Sequence, residues 1–259
     1  MWYWTKILFF ILLGAVAVWL LYEYLTFPDI SKLGYENPTT SSMIEFRISE
    51  TQAKGKKPRK NMYWQPLSRI SRNLQRAVLA GEDARFLEHE GFDWEAIEKA
   101  WDEAVKEGEK EAKKEGDYDP DGWIPSMPKF KRGASTITQQ LAKNLYLSEK
   151  RNFLRKGREA LITYFIEKEL SKKRILEIYL NVIEWGDGIY GAEAASRFYF
   201  RKSASNLTVA EASYLSAMIP SPLNVFNPKK NPKRLRRRQR VIQRNMRYIK
   251  LDYTRNNKK

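Results

Sequence analysis

Residues 81–91 read GEDARFLEHEG and follow a stretch in which Leu74, Val78 and Leu79 share one helical face. Glu82 and Asp83 therefore stand near the end of a packed element. A carboxylate held against an apolar wall has its pKa raised and becomes a candidate general base or acid. Taken alone, a Glu-Asp pair after a helix is usually a surface feature, and a lone histidine such as His89 is more often a structural hydrogen-bonder than a catalyst.

Two further stretches carry chemistry-bearing residues. Residues 133–144 read GASTITQQLAKN, placing Gly133, Ser135 and Thr136 at a helix start, where free N–H groups and hydroxyls favour a phosphate. Gln139, Gln140 and Lys143 fall three and four apart on that helix and share a face; simple capping by Thr136 and Gln139 explains part of the same pattern. Arg155, Arg158 and Glu159 are likewise spaced to face one way, with Arg151 just before. They form either an ion-pair lattice or a site in which cations hold a pyrophosphate while Glu159 orients them or binds Mg²⁺.

Around these stretches the pattern is helical. Asp93, Ser171 and Thr208 (with Glu211) read as helix caps, and Ile175, Leu176, Tyr179, Leu180 and Ile183 form one apolar stripe. No long Val/Ile/Thr alternation appears, so a mainly α domain is expected over 64–250. Residues 28–63, with Pro28, Gly34, Pro38 and GKKPRK at 55–60, read as a juxtamembrane connector with a short strand at Met43–Ile48. The charged run at 102–117 reads as a solvated extension or long loop.

The 259 residues contain no Cys and one His, which excludes disulfide scaffolds, thiol nucleophiles and nitrogen- or sulfur-rich metal sites. Any metal should be a hard, oxygen-bound ion. Of the net +16, residues 229–259 supply 14 Lys/Arg against the single acid Asp252, whereas residues 1–228 are nearly balanced. This C-terminal block reads as an amphipathic helix followed by a basic tail at 251–259. Leu235, Val241 and Ile242 are expected to pack inward, with Arg234, Arg236, Arg237, Arg238, Arg240, Arg244 and Arg247 facing anionic lipid or merely solvent.

At the other end, Ile7–Tyr22 (ILFFILLGAVAVWLLY) carries no charge, and with its flanks approaches the roughly 20 residues that a bilayer requires. Trp2, Tyr3, Trp4, Trp19, Tyr22 and Tyr24 occupy interfacial positions. A cleaved signal peptide would place its small-residue site after the run, yet the Ala15-Val16-Ala17 match lies inside it. Residues 1–27 thus read as a single transmembrane anchor. Lys6 before the span favours a cytoplasmic N-terminus and an exported body.

The three stretches, taken in order with Lys173-Arg174-Ile175-Leu176-Glu177-x-Tyr179-Leu180-Asn181, Gly186, Ala195-x-x-x-Tyr199-Phe200-x-Lys202 and Pro220-x-Pro222…Asn227-Pro228, resemble the peptidoglycan glycosyltransferases. This lysozyme-like family polymerises lipid II, and the likeness is closest to its monofunctional, membrane-anchored members. The resemblance implies a mainly α, lysozyme-like domain behind one transmembrane helix, at the outer face of the bacterial cytoplasmic membrane and without a transpeptidase domain. It implies Glu82 as general base and Glu159 as the second essential carboxylate, with Mg²⁺ beside it. It places Asp83, Phe86, His89, Ser135, Thr136, Gln139, Gln140, Lys143, Asn144, Arg151, Arg155 and Arg158 on substrate. The implied partners are lipid II, the growing lipid-linked glycan, the membrane and other cell-wall synthesis proteins. No nucleotide-binding Gly loop, organic cofactor or nucleic acid is expected. One departure is the extra charged stretch at about 102–125, where the family keeps a mobile segment near the groove. Two rivals stand beside this reading: a hydrolase on the same fold, which has no reason to cluster Lys143, Arg151, Arg155 and Arg158, and a polyanion binder, which leaves Glu82 and Glu159 unexplained.

Overall fold

The computed structural model describes residues 2–115, 135–147 and 153–254. Gly133, Arg151, the later part of the charged stretch and the last five residues of the tail lie outside them.

Helix α1 (Trp2–Leu25) is the anchor candidate: Tyr3–Leu25 is long and apolar enough to cross a membrane, and its most apolar window has no buried residue. At 1.5 Å per residue its 24 residues span about 36 Å, enough for the hydrocarbon core with some tilt. Helix α6 (Phe153–Glu169) holds its C-terminal end. Arg158 donates from Nη1 to Glu23 Oε2 at 2.7 Å and from Nη2 to the Thr26 carbonyl at 2.6 Å. A cation on the last carbonyls of a helix meets the negative end of its dipole.

Residues 28–63 fold onto the body. Phe27 packs edge-on against Phe165 at 5.3 Å, and Ile30 and Leu33 join the core. Arg174 donates to the carbonyls of Leu33 and Glu36, each at 2.7 Å. The strand expected at Met43–Ile48 is instead part of helix α2 (Ser42–Ala53). Ser41 Oγ accepts from the Ile44 amide at 3.2 Å, Ile44 is fully buried, and Ser42 Oγ donates to the Leu145 carbonyl. The local cap and this docking override the alternating Met-Ile-Glu-Phe-Arg-Ile pattern.

The body is built from α3 (Arg72–Glu82), α4 (Trp94–Glu115), α5 (Ile137–Tyr146), α6, α7 (Lys172–Val182), α8 (Ala192–Phe200), α9 (Val209–Met218) and α10 (Pro232–Met246). The charged run after Trp101 continues α4 as helix, with Ala104 buried on its inner face. The caps fall where the sequence puts them: Asp93 Oδ1 accepts from Ala96 N, Ser171 Oγ from Arg174 N, and Thr136 and Thr208 form capping boxes with Gln139 and Glu211. Helix α10 packs on α9 and α3, α5 on α6 and α7, and α2 on α5.

A small sheet closes one side in the order β1–β3–β2. Strand β1 (Asn61–Met62) runs parallel to β3 (Ile189–Tyr190), and β2 (Glu184–Gly186) runs antiparallel to it. Trp185 in β2 is fully buried and donates Nε1–H to the Leu215 carbonyl at 3.0 Å, satisfying its polar edge inside the core. Gly191 follows β3 at φ +81°, and a Cβ there would lie 2.5 Å from the Asn181 carbonyl oxygen, so only glycine fits.

Helix α10 departs from expectation at one position. Leu235, Ile242 and Met246 are buried, but Val241 is 43% exposed. Leu235 and Ile242 are seven residues apart and share a face, whereas Val241 is turned about 100° from Ile242.

Candidate active site

Glu82 closes α3 at the wall of a cleft of about 880 Å³ that is also lined by Ser135, Gln140, Lys143, Asn144 and Tyr179. The far wall comes from the Pro220–Asn224 turn, Phe226 and the Arg234, Arg238 and Val241 side chains of α10. Met43, Arg47 and Glu184 extend the lining, with Arg47 Nε 3.2 Å from Glu184 Oε1.

The Glu82 side chain is only 7% exposed, and its two oxygens have separate partners. Oε1 accepts from Arg238 Nη2 at 2.7 Å, and Oε2 accepts from Gln140 Nε2 at 3.1 Å. Tyr179 OH donates to Gln140 Oε1 at 2.8 Å, which fixes the amide so that its NH₂ faces the carboxylate. Burial pushes the Glu82 carboxyl above its ordinary value, against the pull of Arg238 and Gln140, and neighbouring Asp83 adds a like charge. The fully buried Tyr179 hydroxyl is pushed well above the ordinary tyrosine value by burial, so it remains a donor throughout the working pH range.

Behind Glu82 a buried frame joins α3 to α5. Asp83 caps α3, and its Oδ2 accepts from the Ile137 amide at the start of α5 at 2.9 Å. His89 Nε2 lies 3.0 Å from Asp83 Oδ1. Thr136 Oγ1 donates to the Gly91 carbonyl at 2.7 Å. Phe86 is fully buried, with the Lys172 ammonium over its ring at 4.4 Å. The sequence reading puts Asp83, Phe86, His89, Thr136 and Gln139 on substrate. In the structure they are buried and line no part of the cleft; their groups are engaged in fixing the α3–α5 junction. Exposed Ser135 and Lys143, with Gln140 and Asn144, do face the cleft.

The third stretch does not join the cleft lining. Glu159 is 3% exposed on α6, and Arg155 Nη1 sits 3.0 Å from its Oε2 while the Lys156 ammonium pairs with its Oε1. Arg158 is turned to α1 and away from this pair, because its guanidinium is taken by Glu23 and Thr26. Arg151 lies outside the described residues.

Mg²⁺ requires a near-octahedral set of oxygens. At Glu159 both carboxylate oxygens are engaged by cationic side chains, so the residues there do not fit that ion. Among the described residues, Asp83, His89 and Asp93 form a buried group whose ligand atoms lie within 4.8 Å of one another and which could hold a metal. Its oxygens already serve as caps and acceptors for Ile137, His89 and Ala96.

Sequence reasoning missed Arg238 and Tyr179 as site residues. Tyr179 reads as core because it lies on the apolar stripe of α7. Arg238 is concealed in an arginine-dense run, yet it sits three residues after Leu235 and four before Ile242, on the face that packs inward.

A family model described as Transglycosylase matches residues 49–116 and 125–247. A biosynthetic peptidoglycan transglycosylase of Chromobacterium violaceum is 43% identical over 247 residues, covering 95% of this chain and 99% of the relative. Those of Thiobacillus denitrificans and Methylobacillus flagellatus are 48% and 42% identical, over 81% and 93% of this chain and 82% and 96% of their own lengths. A buried carboxylate at a cleft wall, an anchor-like first helix and matches of this extent converge, and the chain belongs to the transglycosylase family.

Proposed function

We infer that the chain is a peptidoglycan glycosyltransferase that polymerises lipid II into β-1,4-linked glycan strands, with inversion and release of undecaprenyl pyrophosphate. The observation that carries the mechanism is Glu82 buried at the wall of a large polar cleft, with Arg238 and Gln140 each on one of its carboxylate oxygens. Glu82 is the general base. It takes the proton from the 4-hydroxyl of the acceptor sugar as that oxygen attacks C1 of the lipid-linked donor, and the C1–O bond to pyrophosphate breaks. With one protein donor on each carboxylate oxygen, a lone pair remains on each for the hydroxyl.

The leaving pyrophosphate gathers negative charge, and cationic side chains stabilise it as it forms. Lys143 lines the cleft and supplies one such charge; the family resemblance assigns a second to Arg151. Glu159 orders Arg155 and Lys156 instead of ligating Mg²⁺, and Arg158 docks the anchor. Helix α1 keeps the enzyme in the cytoplasmic membrane with the body on its outer face, so enzyme and polyprenyl substrates share one plane. That confinement removes much of the cost of bringing them together. The working division is anchor 1–27, connector 28–63, catalytic domain 64–250 and basic tail 251–259, with other cell-wall synthesis proteins as its neighbours in that membrane.

Incubating the full chain with lipid II in detergent tests the reading. Long glycan strands and stoichiometric undecaprenyl pyrophosphate are expected. Cleaved sugars alone would indicate a hydrolase, and binding without turnover would indicate a polyanion binder.

A further inference from the structure

Glu82 needs two properties that its surroundings oppose. It must be ionised to accept a proton, yet it is buried beside a second carboxylate, and it must point one way although it ends a helix. Two side chains answer both needs, and one of them comes from the basic C-terminal helix that the sequence assigns to lipid or solvent.

Arg238 Nη2 lies 2.7 Å from Glu82 Oε1 and 2.9 Å from the Gly81 carbonyl, so one guanidinium nitrogen grips both the base and the last turn of α3. The guanidinium is itself fixed. Its carbon sits 5.3 Å from the Phe226 ring centroid, and its helix is pinned by buried Leu235 and Ile242 on either side. Gly81 keeps that approach open: a Cβ there would lie 2.7 Å from Ser216 Oγ and 3.0 Å from Ile242 Cδ1, pushing α9 and α10 off α3. The other acidic groups near this pair are accounted for: Glu184, on the cleft wall, is held by Arg47, and Asp83, buried behind Glu82, by His89 and the Ile137 amide.

We propose that Arg238 is a positioning residue for glycosyl transfer, keeping Glu82 a carboxylate and fixing which lone pairs it offers to the acceptor hydroxyl. The proposal rests on Glu82 being the general base. A guanidinium suits the task because it stays charged at every working pH, and the two N–H bonds of Nη2 hold the carboxylate and the carbonyl together. It acts through Glu82 and never touches the reacting atoms.

The test is the pH dependence of lipid II polymerisation by the full chain carrying Arg238→Gln or Arg238→Lys. Burial then acts on Glu82 with less opposition, so the acid limb of the Arg238→Gln profile moves to higher pH. Below both limbs its rate deficit is about tenfold for each pH unit that the limb moves, and it narrows as pH rises. Arg238→Lys, which keeps the charge, stays close to the wild-type limb. A constant deficit at every pH in Arg238→Gln, with the limb unmoved, would overturn the proposal and leave Arg238 a structural contact. A second readout does not depend on turnover: the Glu82 carboxyl, assigned in a ¹³C spectrum by its absence from Glu82→Gln, should titrate at higher pH in Arg238→Gln than in wild type. An unchanged titration refutes the proposal even in a variant of reduced activity. A shifted titration in a chain that fails to polymerise lipid II would support the contact and overturn the reading of function instead.

Discussion

Replacing Tyr179 with Phe removes one oxygen and tests whether a buried relay sets the geometry of the base. The hydroxyl donates to Gln140 Oε1 at 2.8 Å, and Gln140 in turn donates to Glu82 Oε2 at 3.1 Å. Because Tyr179 is fully buried, Tyr179→Phe leaves the packing almost unchanged and strands the Gln140 carbonyl. Losing such a bond and leaving its acceptor unpaired costs about 1–3 kcal/mol. For a chain of this size that corresponds to a fall in Tm of roughly 2–10 °C. The amide also loses the donor that chooses between its two orientations, one of which turns an oxygen toward the Glu82 carboxylate. If about 1 kcal/mol of that preference reaches the transition state, the polymerisation rate falls about fivefold. Initial rates on lipid II and melting in the same detergent measure both effects. In a Gln140→Ala background the same Tyr179→Phe change should have little further effect on rate, since the relay is already cut. A Tm loss with no rate loss, or full additivity with Gln140→Ala, would refute the relay and leave Tyr179 a packing residue.

Three further outcomes follow from the geometry. Lys143→Ala should weaken binding of a non-reactive lipid pyrophosphate about tenfold or more, measured by calorimetry, because a charge-assisted phosphate contact is lost. Arg158→Ala should leave that affinity unchanged but raise proteolytic cleavage near Phe27 in membrane-embedded protein, since its contacts with Glu23 and Thr26 dock α1. Glu82→Gln should change stability with a definite sign. The folded-state carboxyl sits above its ordinary value of 4.5, so the stability it contributes is full below that value and is lost as pH rises through the folded one. Glutamine does not titrate, so the Tm of the variant relative to wild type should climb as pH rises above about 4.5.

What was legible in the sequence was local. Thr136 with Gln139, Thr208 with Glu211, and Ser171 announce helix starts because their bonds span only three residues. The stripe Ile175–Leu176–Tyr179–Leu180 announces a buried face for the same reason. Ending an apolar helix marks Glu82 no more than it marks a surface carboxylate; the ordered motifs shared with the family single it out. What failed depended on distant partners. Met43–Ile48 alternates like a strand, but Ser41 and the carbonyl of Leu145, about a hundred residues away, make it helix. Arg158 and Arg238 carry the same charge as their neighbours, and only the packing of α6 beside α1 and of α10 on α3 sends one to the anchor and the other to the base. Asp83, Phe86 and His89 belong to a motif, yet a motif does not say which members face substrate and which hold the others in place.

The most direct test of the central claim is the rate of lipid II polymerisation by the Glu82→Gln chain against wild type, at matched folding and matched donor binding. An amide cannot accept the acceptor hydroxyl's proton, so the rate should fall by about 100- to 10,000-fold while melting and binding persist. Elongation by Glu82→Gln at close to the wild-type rate would contradict the assignment of Glu82 as the base, and with it the mechanism built on this cleft.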